Sequence, residues 1–491
     1  MKKLKISLLT LLSFVLFSCN DVLDVSPDNR TTIDSAEKIA EILVNAYPNA
    51  AYASFLEPMS DNAGDKGPSA VTKAVNEEMF FWRDFNLVDE DTPTFYWNQA
   101  YKAIAQANQA LVSIEELDGG KEMNHLKGEA LVCRAYAHFM LVNIFSKAYN
   151  PKTASSDLGI PYVTKPEKVL LRNYDRGTVE SVYKNIKADL ETGLPLIQDD
   201  YYIQPTYHFT KAAAYAFAAR FYLTTGEWQK VVDCADIALG GNPLSKLRNW
   251  RDNYRPITFT KKGRLYSSSL EPANLLLVSG YSSFRRFYGS ARYQLNGDKR
   301  DEIFPYPNDT GKAWSYKIYG NDLYYNIPKY WEYFQYTNQA AGIGSPFVTY
   351  VLLSTDEALL NRAEAYAMLG QLNNALNDIN MSYSVKTQRY TTSDALTIAD
   401  VNTKFKVDDN LYTPFYSIPN ASLPFIHAVL TIKRTIFYNE GMRWFDNKRH
   451  NMEITHTDNN NNKYILTKTD LRRQLQIPEA AQVHGIKANP R

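Results

Sequence analysis

Two similar stretches of helical sequence, far apart in the chain, most limit the folds that it can adopt. Residues 210–240 and 354–383 each have the apolar spacing of two helices joined at a glycine, Gly226 or Gly370. Each stretch also has a tyrosine four residues and an alanine seven residues before that glycine. Small residues where two helices meet, an aromatic in the gap and glycine at the reversal are typical of tetratricopeptide units. The pattern predicts a mainly α-helical, tetratricopeptide-like scaffold.

The rest of the scaffold is predicted from the same periodicity. Residues 95–117, 124–149 and 177–197 are further helical stretches. Apolar runs at 274–280 and 346–354 predict short strands, and the polar residues 456–464 predict an exposed loop. We expect a leader over residues 1–18 and one domain over 19–491. Its scaffold would occupy about 30–240 and 350–450, with an irregular insertion at about 245–350 and a tail at 451–491.

The insertion is unusually rich in tyrosine. Of 35 tyrosines in the chain, fourteen lie between Tyr254 and Tyr350, where even spacing would place about seven. Tyrosine combines a flat apolar ring with a polar tip, so it serves both in cores and on surfaces that stack against a ligand. Composition leaves both interpretations open.

The N-terminal segment predicts export and a lipid anchor. A basic start is followed by an apolar run of about fourteen residues, shorter than the roughly twenty that a membrane-spanning helix needs. The run ends in "LFSC", which resembles a bacterial lipobox with Cys19 as the acylated residue. Several acyl chains on one residue make a stable anchor. Ordinary secretion is the alternative.

Charge and motifs exclude several classes of function. The chain has 54 basic and 53 acidic residues, and loss of the three leader lysines leaves 51 against 53, which argues against a nucleic-acid partner. Cys133 and Cys234 lie in helical apolar patterns and are predicted to be buried free thiols. The sequence has no Walker loop, nucleophile elbow or H-E-x-x-H pair. We therefore expect no catalytic residues, no cofactor and no metal site.

Five segments, in order, resemble the SusD/RagB family of Bacteroidetes lipoproteins over nearly the whole length. They are "CNDVLDVSPDNR" from Cys19, the helix pair "WNQAYKAIAQANQAL" and "GEALVCRAYAHFMLVNIFS", "GIPYV" with "RGTVESVYKNIKADLETGL", "IKRTIFYNEGMRWFDNKRH", and "IPEAAQVHGIKANP" near the end. The fourth segment departs from the family pattern at Lys433, Ile436 and Asn447. Its Glu440, Arg443 and Asp446 have spacings that place them near one another on a helix, so an ion-pair cluster that stabilises the fold is expected.

The resemblance implies a role. Family members lie on the outer face of the outer membrane, bind nutrients, most often glycans, and act as the lid of a SusC-like TonB-dependent barrel transporter. The implied partners are that transporter and an oligosaccharide. A peptide-binding lid of the same family is the first alternative, and a surface enzyme acting on glycans, or a plain helical scaffold, is the second.

Two regions combine aromatic faces for sugar rings with polar groups for hydroxyls. The predicted ligand-binding residues are Asp61, Asn62, Asp65, Trp82 and Arg83 in the first region, and Tyr281, Arg285, Tyr288, Trp314 and Tyr316 in the insertion. Together they are expected to form a shallow aromatic platform facing the transporter.

Overall fold

A computed structural model describes residues 33–166 and 174–491. Cys19, the predicted lipid attachment site, lies outside these residues. The helices are α1 (Ala36–Leu43), α2 (Ala53–Leu56), α3 (Ala74–Phe80), α4 (Pro93–Glu116), α5 (Asn124–Phe145), α6 (Val179–Gly193), α7 (Lys211–Thr225), α8 (Trp228–Leu239), α9 (Phe259–Tyr266), α10 (Phe284–Phe287), α11 (Gly297–Ile303), α12 (Thr355–Met368), α13 (Leu372–Ser384), α14 (Ile398–Lys404), α15 (Leu423–Ile436), α16 (Met442–Arg449) and α17 (Glu479–Val483). The strands are β1 (Gly64–Asp65), β2 (Asn274–Tyr281), β3 (Tyr293–Gln294), β4 (Glu332–Asn338), β5 (Ile343–Ser354), β6 (Ile454–Thr457) and β7 (Lys463–Leu466).

The predicted tetratricopeptide-like scaffold is confirmed. The two helix–turn–helix units are α7–α8 and α12–α13, and their turn glycines adopt left-handed backbone angles, with φ +77° at Gly226 and +73° at Gly370. Residues other than Gly, Asn and Asp rarely adopt such backbone angles. Although more than a hundred residues separate the units, α12 packs against both α7 and α8. They therefore stack as neighbouring repeats.

The first helices of the scaffold begin at polar caps. The Thr92 hydroxyl accepts from the Phe95 amide at the start of α4, and Thr178 and Ser181 form a reciprocal capping box at α6. Helices α4, α5 and α6 pack in succession. Cys133 on α5 and Cys234 on α8 are buried free thiols, as predicted.

The insertion is more regular than expected. The two predicted strands form β2 and β5, and β4 completes an antiparallel sheet in the order β2–β5–β4. Pro346 on β5 lies opposite Phe334 of β4 and has no amide hydrogen to donate. Its carbonyl instead accepts from the Ser282 amide, on the β2 side. Because β4 is the last strand in this order, one of its edges has no strand partner among the described residues.

The polar stretch at 456–464 is an exposed loop in part, as predicted: residues 458–462 form the turn of a hairpin, and 459–462 are exposed. It contributes to the β6–β7 hairpin, and His456 is buried between the rings of Phe80 and Trp82 at 4.1 and 4.4 Å. Both imidazole nitrogens lie within 2.8 Å of backbone carbonyls, those of Phe80 and Ser60. The tertiary contacts of one histidine therefore override the polar composition around it.

The segment at 473–489 is hydrogen-bonded to the end of α5. The Asn489 amide donates to the carbonyls of Phe145 (2.8 Å) and Leu475 (2.7 Å). Arg176 donates to the Asn489 side chain and to the Lys487 carbonyl, both at 2.8 Å. Because these groups are largely buried, they hold the C-terminal segment to the end of α5.

The expected ion-pair cluster on the 432–450 motif has different partners. Glu440 precedes α16 and pairs with Lys329, Arg443 pairs with Asp61, and Asp446 pairs with Arg449. Glu440 lies outside the helix, so the i, i+3 geometry that would join it to Arg443 does not arise. The three residues stabilise the fold, as expected, but through separate long-range and local ion pairs.

Candidate functional site

The predicted polar residues of the first region bind other parts of the fold. Asp61 accepts from the Arg443 guanidinium at 2.7 and 2.8 Å, and Asn62 is buried between Glu57 and Arg434. Burial alone would raise the pKa of Asp61, but Arg443 and Arg434 more than offset it and hold that pKa well below its usual range. Asp65 pairs with Arg292 at 2.7 Å. The hydrogen-bonding capacity of these residues is largely used within the protein.

Trp82 and Arg83 point to different environments. Trp82 is 3% exposed, stacks on His456 and donates its indole N–H to the Met59 carbonyl at 2.9 Å. Arg83 is exposed and pairs with Glu78 at the surface. His456 of the β6–β7 hairpin covers one face of the Trp82 ring, whereas Arg83 is accessible.

Most of the predicted aromatics of the insertion lie in the core. Tyr288 is 1%, Trp314 7% and Tyr316 8% exposed. Trp314 stacks on Tyr383 at 5.4 Å, and Tyr316 packs on Trp250 at 4.5 Å. Their burial gives these residues a packing role that the sequence left open.

An aromatic row crosses one face of the β2–β5–β4 sheet. Phe347 of β5 lies directly opposite Tyr281 of β2 and Tyr333 of β4. The ring centroids are 6.1 Å apart for Tyr281–Phe347 and 5.5 Å for the nearly parallel Tyr333–Phe347 pair. Tyr333 is 43% exposed, and the other two rings are partly exposed. We call these three residues the aromatic row.

Polar groups surround the aromatic row. Gln335 and Ser345 are paired across the strands on the same face, since side chains two apart on a strand share a face. Tyr207 packs above the sheet, where its hydroxyl contacts those of Ser279 and Thr349. Burial raises the pKa of Tyr281, and the negative charge of the nearby Glu90 raises it further. The site thus combines flat apolar faces with hydroxyl, amide and carboxylate groups.

Of the predicted residues, Tyr281 alone contributes a ring to the aromatic row. Arg285 instead donates to the Tyr330 carbonyl at 3.2 Å and lies over the Tyr288 ring. Tyr333 and Phe347 were missed. The sequence "EYFQYTN" at 332–338 is rich in the aromatic and β-branched residues that favour strands, and this composition is the available signal. The sequence identified the segment, but side-chain exposure within it depends on the sheet register.

The fold and this face define a tetratricopeptide-like helical protein with an aromatic sheet face. Residues 21–223 match a SusD-like family that is described as "Starch-binding associating with outer membrane". A SusD-like protein P2 of Formosa agariphila is 28% identical over 267 residues. That alignment covers 50% of this chain and 48% of the relative, so the chain spans about half the length of the curated relative it matches.

Solved structures share the fold over almost the whole chain. A SusD superfamily protein from Bacteroides thetaiotaomicron has a TM-score of 0.63 at 19% identity, covering 93% of this chain and 100% of the other. A protein from Bacteroides vulgatus described as a SusD-like carbohydrate binding protein has a TM-score of 0.61 at 15% identity, covering 92% and 96%.

The predicted resemblance to the SusD family is therefore confirmed, and the chain has the SusD-like fold. Within the described ranges, no helix has the length and apolar character to cross a membrane.

Proposed function

We propose that this protein binds a glycan at the cell surface through its aromatic row. The observation that carries the proposal is the alignment of Tyr281, Phe347 and Tyr333 across three strands, partly open to solvent and bordered by polar side chains. Sugar rings present flat patches of C–H bonds and a rim of hydroxyls, and this face offers a complement to both.

Tyr333→Ala tests the site, with Tyr336→Ala as matched control. Both tyrosines are exposed on β4, but they lie on opposite faces of the strand. Removing one stacking ring should cost about 1–3 kcal/mol, taking base–aromatic stacking as the nearest calibrated case. Calorimetry against a glycan panel should therefore show a roughly ten- to hundredfold loss for Tyr333→Ala alone. Equal affinities in both variants and the parent would place the glycan elsewhere.

The proposed site of action is the outer face of the outer membrane, with Cys19 as the lipid anchor. The family description, which associates these proteins with the outer membrane, supports this location. Metabolic labelling with a fatty acid should mark the parent protein and not Cys19→Ala. Persistent labelling of the variant would contradict the assignment.

We further propose that the protein acts as the lid of a TonB-dependent barrel transporter. A persistent lid interface should bury more than about 1,000 Å². Affinity purification from gently solubilised membranes should recover a barrel transporter with the tagged protein. Recovery of the tagged protein alone would argue for an independent binding protein.

A peptide ligand is the second candidate, and the free edge of β4 favours it. An exposed strand edge can accept an extended peptide as an additional strand. Tyr336→Pro would remove one backbone donor from β4, with Tyr336→Ala as control. A peptide panel that bound the parent and Tyr336→Ala, but not Tyr336→Pro, would favour this candidate over the glycan.

A further inference from the structure

A cavity of about 290 Å³ lies away from the sheet, beside the end of α5. Its walls come from residues 147–157 after α5, from 413–415, from the end of α16 and from 468–474. Its lining residues do not overlap with the aromatic row. The volume is close to the lower limit of ligand pockets, about 300 Å³.

Two buried cations line this cavity. Lys448 donates to the carbonyls of Asn143 (2.5 Å) and Ser146 (2.8 Å), and Arg473 donates to those of Asn447 (2.8 Å) and Met452 (2.7 Å). Lys448 is 5% and Arg473 8% exposed. In the part of the chain that the structure describes, neither has a carboxylate oxygen within 4.0 Å. Backbone carbonyls satisfy the hydrogen bonds of both cations, and the more distant carboxylates of Asp470 and Glu453 offset the charge of Arg473 only in part.

The carboxylates around the cavity are already paired with other cations. Asp157 binds Lys147 at 2.6 Å, and Asp470 binds Arg472 at 2.6 Å. The third cation without an ion pair, Lys468, donates to the Asn410 carbonyl. Arg449, which also lines the cavity, is paired with Glu364 and Asp446.

The cavity therefore carries an excess of positive charge. Burial, together with Arg473, lowers the pKa of Lys448 to about 7. An anion in the cavity would stabilise the charged form of this lysine.

The remaining walls suit a sugar ring. Tyr149 and Phe415 meet edge to face, with centroids 5.6 Å apart, and both are partly exposed. Asn150 and Asn451 also line the cavity and provide amide groups. Aromatic faces and amides together contact the C–H surfaces and hydroxyls of a saccharide.

We propose that this cavity is a second binding site that takes an acidic sugar, a ring carrying a carboxylate or a sulfate group. Lys448 and Arg473, neither of which forms an ion pair within the described residues, would bind the anion, and Tyr149 and Phe415 would contact the ring. The hydrogen bonds to carbonyls at the ends of α5 and α16 explain how the side chains of Lys448 and Arg473 are held in place. Helix capping of this kind is a structural role. It does not explain why two positive charges are buried together without a counter-ion.

The test uses the full-length purified protein and defined probes. Sodium glucuronate and glucose 6-sulfate should bind at least tenfold more tightly than glucose, as measured by ligand-observed NMR or calorimetry. Comparing the two acidic sugars identifies which anion the cavity prefers. Inorganic sulfate that bound as tightly as either sugar would reduce the site to an adventitious ion only and overturn the proposal.

Lys448→Gln keeps a hydrogen-bond donor and removes the charge, so it should lose at least tenfold in affinity for the acidic sugar. Lys184→Gln removes the same charge from an exposed lysine of α6, away from the cavity, and should bind the acidic sugar like the parent. If Lys448→Gln does not fold, the pH profile of the parent decides. Affinity for the acidic sugar should fall as pH rises through about 7, because Lys448 loses its proton, while binding of glucose should not change. A flat profile, or equal affinity for glucose and glucuronate, would overturn the proposal.

Discussion

Asp91 connects the loop before α4 to the end of β2, next to the aromatic row. Its buried carboxylate accepts from the Ser282 hydroxyl at 2.6 Å and from the Ser283 amide at 2.9 Å. Burial raises the pKa of Asp91 to about 6, because the hydrogen bonds only partly offset the loss of solvation. The carboxyl therefore binds its proton more tightly in the folded than in the unfolded protein. Folding favours the protonated form, so this group's contribution to stability declines as pH rises from about 4 to about 6.

Asp91→Asn should reveal this dependence. Asparagine tolerates the positive φ of +65° at this position and does not titrate. As pH falls from about 7 to about 4, the parent should gain roughly 2–3 kcal/mol relative to the variant, at about 1.4 kcal/mol per pKa unit. Chemical denaturation across this range measures the difference, with the exposed Asp89→Asn as control. A constant difference between parent and Asp91→Asn would contradict the shifted pKa.

At the scale of single elements, the reversal between α12 and α13 depends on Gly370. Its φ is +73°, and a Cβ at this position would meet nothing within 4 Å. Any cost of substitution therefore comes from the backbone angle and not from a clash. Gly226 differs, because a Cβ there would lie 3.4 Å from Phe415.

Gly370→Val should destabilise the protein by roughly 1–3 kcal/mol, the range for a branched side chain held at such an angle. Gly370→Asn is the matched control, since asparagine adopts left-handed angles readily and there is room for it. Thermal or denaturant unfolding measures both. Equal losses in the two variants would show that space, and not backbone angle, limits this position.

The sequence predicted elements better than it predicted exposure. Helix periodicity, the turn glycines and the strand runs at 274–280 and 346–354 are local signals, and all of them gave the right elements. The side of the sheet on which Tyr333 and Phe347 lie depends on pairing with β5, which no local pattern encodes. The burial of Trp314 and the stacking of His456 on Trp82 likewise depend on segments distant in sequence. Of the aromatic row, the sequence therefore indicated the segment and Tyr281, but not Tyr333 or Phe347.

At the scale of the whole molecule, Asn489 joins parts of the chain that are far apart. Asn489→Ala would leave the carbonyls of Phe145 and Leu475 without their donor, and Arg176 without one acceptor. Each unsatisfied buried group costs about 1–3 kcal/mol, so a clear loss of stability is expected in thermal unfolding. Lys487→Ala is the control, because Arg176 contacts only the backbone carbonyl of that residue. Equal melting temperatures of the two variants would mean that the hydrogen bonds of the Asn489 side chain contribute little to stability.

The docking of the 473–489 segment on α5 also limits the order in which the protein can fold. The Asn489–Phe145 hydrogen bond closes a loop of 344 residues, and contacts of such long range form slowly because the entropy of closure is lost before they stabilise anything. A chain that emerges from its N-terminus first releases α5 long before residues 473–489, so the two cannot pair until residue 489 has emerged. We therefore expect pulse-labelled hydrogen exchange to show the amides of 473–489 protected last, after those of α5. The native state would then be reached only when the 473–489 segment docks, and chains that had not emerged as far as residue 489 would remain open at this surface.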